Sequence, residues 1–523
     1  MNLHLANAML SNEVRLNMRR TSTFVVTFVV IAIVWLMIVD PAGGKALLVV
    51  EKTRGAYNSV CLALGSSLLA GMLFPLGGFY LLRGRMREDI YCGTGKVLAA
   101  TPISDGALIF WRWLGGAAYL CLFLGALILS LLALQKVRGE GPIEPLVFLQ
   151  FHGLVILPAI LFASSMAVLC DAHASLMGRR GDVLYFLLWM GQIALAQSLG
   201  ENSYIGSGSP VLSVDLTGVG VLSQRAQEIF HTKQFNIGIS GYEPGLIPLV
   251  LGAGYWTWEM VQARLGTAVL ATAPLGLAIA LFHRYSPDRV VVSDARRNWA
   301  LLAFVNRRLH SFKLVSNALF GLAVSVNGRC GAVLAELALT LAINPLSLLV
   351  WGATLLSASL VDYNMLKAVL IFAILFWGTL ISNLGGRDAE AGIHVMSGAL
   401  PGGNDWRFLR QYLATMILGL LFTGAIMLRW LWHEPVRAAA LASGIVLLAS
   451  AAHLLVLLTR TARTFLATFF LTLYISMQAH TVAALDVVGL NGAATPISVM
   501  SQFVCALGAL WLGRAYNRRR HSG

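Results

Sequence analysis

Long apolar runs separated by short polar passages make up most of the chain. Runs of spanning length lie at about 23–39, 61–82, 107–133, 148–170, 183–199 and 262–283. They return at 345–360, 365–384, 410–431, 438–459, 464–482 and 493–514. A helix crossing hydrocarbon needs roughly 17–25 such residues, so the pattern predicts twelve spans and an all-α polytopic membrane protein. The first run follows a leader of over twenty residues, and Asp40-Pro41-Ala42-Gly43 after it has no A-x-A cleavage pattern. It reads as a retained span, not as a signal peptide.

The polar passages give the orientation. Before the first span, Leu3, Ala6, Leu10 and Val14 recur at helical spacing opposite His4, Asn7 and Arg15. That is the pattern of an interfacial helix, with a loose tail as the alternative; Arg15, Arg19 and Arg20 favour an anionic cytoplasmic surface. Residues 201–262 carry five acidic and two basic residues and read as external. Gly206, Gly208, Pro210, Gly218 and Gly220 break this segment into turns. Its stretch Gly245 to Gly254 is too short to cross and reads as re-entrant or surface-lying. Tyr255, Trp256 and Trp258 suit an aromatic belt at the outer boundary.

The connector Arg284 to Arg329 carries eight basic and two acidic residues and reads as cytoplasmic. Its part 314–326 suits a helix lying on the membrane. The organisation expected is a first unit at 1–290, a basic connector at 291–330 and a second unit at 331–523, with both termini cytoplasmic.

Composition sharpens this picture in two places. The net charge of +14 gathers in alternate loops, which fits orientation and not nucleic-acid binding. The six cysteines include no CxxC pair, so no disulfide framework or zinc site is indicated.

The passage Leu82 to Trp113 holds Arg83, Arg85, Arg87, Lys96 and Arg112 with Glu88, Asp89 and Asp105. Hydrocarbon cannot hold so many charges, so the passage lies in water or against another protein. Shifting the sequence by 299 residues lays Asp89 on Asp388, Gly93 on Gly392, Pro102 on Pro401 and Leu114 on Leu413. Each passage joins the second and third spans of its half. Each half also opens on a helical stretch with one acid, Glu13 or Glu336. Two parallel six-span halves are a recurring way to build a transporter. The stretch from acid to glycine predicts a short helix, the glycine a bend, and the proline the start of the next helix.

An N-terminal interfacial helix, six spans, and the loop Arg87-Glu88-Asp89 with Gly93-Thr94-Gly95-Lys96 and Ala100-Thr101-Pro102-Ile103-Ser104 resemble permeases of the ABC-2 export type. Phe282 to Arg289, FHRYSPDR, is similar to the exit from that family's permease unit. The resemblance implies that Arg87, Glu88, Asp89, Gly93, Thr101 and Pro102 form a coupling helix docking on a nucleotide-binding subunit. It implies the same for Asp388, Glu390, Gly392 and Pro401, where Gly386-Arg387-Asp388 and Pro401-Gly402-Gly403 depart from the first loop. Glu13 and Glu336 would pair with basic residues near the loops and transmit motion. The layout resembles exporters that pair one long permease with separate ATPase chains, here two copies. ATP and Mg would then bind the partner, with no cofactor in this chain and a bacterial inner membrane as the location. A hydrophobic or amphipathic peptide, lipid or antibiotic-like cargo would suit the apolar path.

No GxxxxGK[ST], HExxH or GxSxG occurs, so the sequence predicts no ATP site, zinc-protease site or serine nucleophile of its own. His152, His453 and His480 read as locally bonded, with a proton relay as the alternative. An ion-driven secondary transporter would need acids within spans, and few are present. A membrane enzyme or assembly scaffold would need a polar constellation or a large soluble face.

Overall fold

The computed structural model describes residues 3–41, 44–173, 175–202, 205–232, 234–252, 254–282, 313–326, 328–344, 346–382, 384–385, 387, 403–459, 462–478 and 482–521. The chain divides into two compact units, Met1–Ala295 and Arg296–Gly523.

The first unit opens on helix α1 (Leu3–Met18) and the apolar α2 (Thr21–Met37). Strands β1 (Lys45–Val50) and β2 (Thr53–Arg54) follow, then α3 (Ser59–Leu82), the short α4 (Arg85–Tyr91) and α5 (Thr94–Ala99), α6 (Asp105–Arg138), α7 (Pro145–Ala172) and α8 (Arg179–Glu201). A 3-10 turn at Pro210–Val214, α9 (Val219–Phe230), β3 (Phe235–Gly241), α10 (Trp258–Leu270) and α11 (Ala273–Leu281) complete it. The second unit contains α12 (Lys313–Ser325), α13 (Arg329–Ile343), α14 (Leu346–Leu360), α15 (Leu366–Ile381), α16 (Gly403–His433), α17 (Pro435–Thr459), α18 (Ala462–Gln478) and α19 (Pro496–His521).

Among the described residues, nine helices are long and apolar enough to cross a membrane, and ten if the pair α13–α14, bent by 98°, counts as one. The stretches Val26–Trp35 in α2 and Ala462–Met477 in α18 are apolar but shorter. This is the build of a mostly helical polytopic membrane protein.

A three-stranded antiparallel sheet, ordered β2-β1-β3, is an element that the helical pattern did not announce. The hairpin pairs Val50 with Thr53, and β3 pairs Val49 with Asn236 and Lys45 with Gly241. Ala46 to Val50 are buried, so this strand forms a small core. Residues 245–252 form no helix. The Leu249 backbone brackets the second strand, donating to the Arg54 carbonyl at 2.9 Å and accepting from the Ala56 N–H at 2.8 Å. A bidentate pair, Arg54 to Glu140 at 3.0 and 2.7 Å, ties the hairpin to the end of α6.

Much of the segment expected as external turns is packed against helices of the first unit. Pro158 inside α7 has no N–H for the Leu154 carbonyl. Arg264 of α10 supplies the donor, with Nε 3.0 Å from the Leu154 oxygen and Nη2 3.1 Å from that of Val155. Its Nη1 also donates to the Asp215 carbonyl. Arg264 is 1% exposed and Asp215 is wholly buried. The Asp215 carboxylate accepts the N–H groups of Thr217, Gly218 and Gly220 at 3.0, 3.0 and 2.7 Å, closing the start of α9. Gly71, midway along α3, is required there, because a Cβ would stand 2.4 Å from the Thr217 carbonyl oxygen. Pro75 also sits inside α3, where Trp189 and Tyr185 of α8 donate at 2.7 Å to the Met72 and Pro75 carbonyls. Tyr255 is 1% exposed with its hydroxyl on the Leu222 carbonyl, so it belongs to the core and only Trp258 is exposed as a belt residue should be.

Several of these devices recur in the second unit. Arg138, ending α6, donates to the Ile38 carbonyl after α2 and covers the Trp35 ring at 4.5 Å. Arg429 of α16 donates at 2.7 Å to the carbonyls of Ala358 and Val361 at the end of α14. Asp486 is wholly buried and accepts from the N–H groups of Asn491 at 3.2 Å and Ala493 at 3.1 Å. Gly444 of α17 has the Val487 carbonyl 2.2 Å from where its Cβ would be, the counterpart of Gly71 and Thr217.

Two predictions follow from these contacts. Arg264→Leu takes the donor from the buried carbonyls of Asp215 and of Leu154, which Pro158 has already deprived of its helical partner, at about 1–3 kcal/mol for each group left unsatisfied; the thermal midpoint of the detergent-solubilised chain should fall clearly. The hydrogen bond from Arg54 holds the Glu140 carboxyl below its ordinary 4.5, with burial opposing. A carboxylate with a depressed folded pKa stabilises above its unfolded value and loses that stability as pH falls through the folded value. Wild type should therefore lose stability relative to Glu140→Gln as pH drops below about 4.5. Parallel acid melting curves for the two proteins would refute this contribution.

Candidate functional site

The passage after α3 is built around charges buried at one end of the first bundle. Arg83 leaves α3 with 1% exposure. Its Nη1 pairs with Asp171 at the end of α7, and its Nε lies 2.9 Å from Asp182 in the first turn of α8. Its Nη2 donates to the Leu176 carbonyl at 2.6 Å. Gly84 then takes φ +88°, a left-handed turn open to glycine, which lets its N–H reach Asp171 Oδ2 at 2.8 Å. One guanidinium thus joins the ends of α3, α7 and α8.

A second cluster fastens α4 from beneath. Asp89 is 3% exposed and pairs with Arg112 of α6, itself 6% exposed. Arg85 lies 3.5 Å from Asp89 and 3.3 Å from Glu13 of α1, and Glu13 stands 4.0 Å from Arg112. Thr94 of α5 adds a hydroxyl 3.1 Å from Asp89 Oδ1. Arg20, between α1 and α2, reaches Glu88 at 2.6 Å. The clusters adjoin across a cavity of about 30 Å³ lined by Glu13, Asn17, Arg85, Arg112, Ser164 and Asp171. Gly115 of α6 admits α1, since a Cβ there would stand 2.6 Å from Glu13 Cβ.

The predicted residues therefore part company. Glu13 sits among the basic residues of the passage, and Asp89 turns inward to bind Arg112 and Arg85. Glu88 is half-exposed, and Arg87 lies between buried and exposed. Gly93 is the bend between α4 and α5, at φ +75°. The Thr101 hydroxyl donates to the Leu98 carbonyl at 2.7 Å, closing α5. Pro102 is exposed but does not start α6, which begins at Asp105 with Ser104 Oγ accepting the Ala107 N–H. A serine cap satisfies a first-turn N–H, which proline at that place cannot do. The outward side carries Lys96, Val97 and Pro102, with Val97 68% exposed.

In the second unit, Glu336 of α13 is 6% exposed and meets Arg387 at 3.5 Å and Arg410 of α16 at 3.3 Å. Burial pulls the Arg387 guanidinium below its ordinary value, and Glu336 opposes that shift. Asp388, Glu390, Gly392 and Pro401 lie outside the described residues, as does His480. His152 is locally held, by Ser66 at 3.1 Å and the Phe148 carbonyl at 2.9 Å. His453 Nδ1 lies 3.0 Å from the Ala449 carbonyl. Among the described residues, no group of three or more His, Cys, Asp or Glu is placed to hold a metal ion.

Sequence reasoning missed Arg83, Asp171 and Asp182 as one unit. The available signal was Asp171 at the end of one span and Asp182 at the start of the next, bracketing a short turn. Comparison with family models, curated proteins and solved structures gives no match to this chain.

Breaking a buried ion pair from one side costs about 3–5 kcal/mol, because the remaining charge stays buried. Asp89→Lys should therefore prevent stable folding, whereas Glu88→Lys should leave expression and melting temperature close to wild type. Equal behaviour of the two variants would contradict the inward placement of Asp89.

Proposed function

We propose that this chain is the membrane permease subunit of an ATP-driven exporter similar to the ABC-2 type. Its twelve spans would form two homologous six-helix bundles, with both termini cytoplasmic in a bacterial inner membrane. Two separate ATPase subunits would bind ATP and Mg, and the cargo would be amphipathic or hydrophobic.

One observation carries the reading. The α4–α5 element is fastened by buried charge on its inner side and presents Lys96, Val97 and Pro102 on its outer side. A surface loop with no load to bear does not need Asp89 and Arg112 buried at the cost of desolvation. An element that takes a push does, because force reaches α6, α7 and α8 only through rigid contacts. The recurrence of Glu13 as Glu336, Arg138 as Arg429 and Asp215 as Asp486 supports the two-bundle layout.

The test is purification of the tagged chain from its native cells in mild detergent. A co-purifying P-loop ATPase, lost on Lys96→Glu with Val97→Asp while the melting temperature holds, is the expected result. A chain that purifies alone and transports on an ion gradient would overturn the reading in favour of a secondary transporter.

A further inference from the structure

Two of the arginines near the C-terminus are built into the fold. Arg514 grips Asp405 with both arms of its guanidinium, Nε to Oδ1 and Nη2 to Oδ2, each at 2.8 Å. Arg518, one turn further along α19, adds Nη2 to Oδ2 at 2.7 Å. Asp405 stands in the first turn of α16, where a negative charge also suits the helix dipole. Gly513 brings the helices together, because Phe408 Cζ lies 3.0 Å from the place of its absent Cβ. On its other side the same stretch of α16 is held by Arg410 on Glu336 of α13, at 3.3 Å.

The start of α16 is thus gripped by α13 and α19. Isolated exposed ion pairs are worth little, but a planar fork joined by a second arginine on one carboxylate fixes direction as well as distance. We infer that Arg514 and Arg518 are positioning residues, holding the first turn of α16 through Asp405 so that the second half can engage an ATPase subunit. The C-terminal helix then has a mechanical role besides crossing the membrane. This inference rests on the exporter reading.

The test uses the full chain co-expressed with its native ATPase and purified by a tag on the permease. The variants are Arg514→Gln/Arg518→Gln, the milder Arg518→Gln, and Asp405→Glu. Retention of ATPase, ATP turnover and permease melting temperature are measured for each. The double variant should lose about tenfold in ATPase affinity, equivalent to roughly 1.4 kcal/mol, with an unchanged melting temperature. Arg518→Gln should fall part of the way, and Asp405→Glu, which keeps the charge, should retain most of the binding. Wild-type retention and turnover in the double variant would overturn the inference. So would a loss that merely follows a fall in melting temperature; if the double variant does not fold, Arg518→Gln decides by the same criteria. If wild-type permease retains no ATPase, the exporter reading itself fails and the inference falls with it.

Discussion

A guanidinium buried among apolar helices must keep its carboxylates, and Arg83 places that constraint at the end of the first bundle. With 1% exposure it has little access to water and binds Asp171 and Asp182 instead. The pairing fixes where α7 ends, where α8 begins, and how sharply the chain leaves α3 at Gly84. From that corner α4 is aimed across α6, so Asp89 meets Arg112 and Arg85 meets Glu13. The mutual placement of α1, α3, α6, α7 and α8 at this end follows largely from satisfying a few buried charges, which apolar packing alone would leave free to slide.

Along the bundle the problem is unsatisfied backbone. Pro75 and Pro158 interrupt the helical ladders of α3 and α7, and a buried turn starts α9. In an apolar interior each orphaned carbonyl needs a donor. Arg264 supplies the donor for Leu154, Trp189 and Tyr185 bond the carbonyls of Met72 and Pro75 beside the other proline, and Asp215 receives the N–H groups at the head of α9. The sheet does the same by pairing β1 with a strand almost two hundred residues away. The proline and glycine positions are therefore places where two segments come close, with a polar side chain from a third closing the gap.

This explains what could be read from the sequence. Among the described residues, apolar run length finds nine long helices to within eight residues of their ends, since length and composition are local properties. The charged passage was also legible, because charge in an apolar setting is conspicuous, and so was the bend at Gly93. The direction each charge faces was not. Glu88 and Asp89 are adjacent and chemically alike, yet one reaches water and the other is buried; that depends on α6 lying beneath α4. The sheet was hidden for a similar reason: Lys45 to Val50 has strand character, but its partner at Phe235–Gly241 contains two glycines and lies in a segment punctuated as loop. Tyr255 was misassigned because an aromatic beside a span suits either a lipid boundary or a core.

The same energetics limit how the proposed exporter can move. Sliding α6 past α4 would separate Arg112 from Asp89, sliding α3 past α7 and α8 would separate Arg83 from its two carboxylates, and each rupture would leave a charge in a dry site. That cost, about 3–5 kcal/mol per broken pair, is a large part of the stability of a domain, typically 5–15 kcal/mol. Tilting this end of the bundle as one body breaks none of these contacts. In the proposed exporter, a push on α4 and α5 would be delivered to the adjoining ends of α6, α7 and α8 together, and helix-by-helix rearrangement would be disfavoured. If the chain is the exporter proposed, its path would open where buried charge does not tie the helices, not within the cluster that ties them.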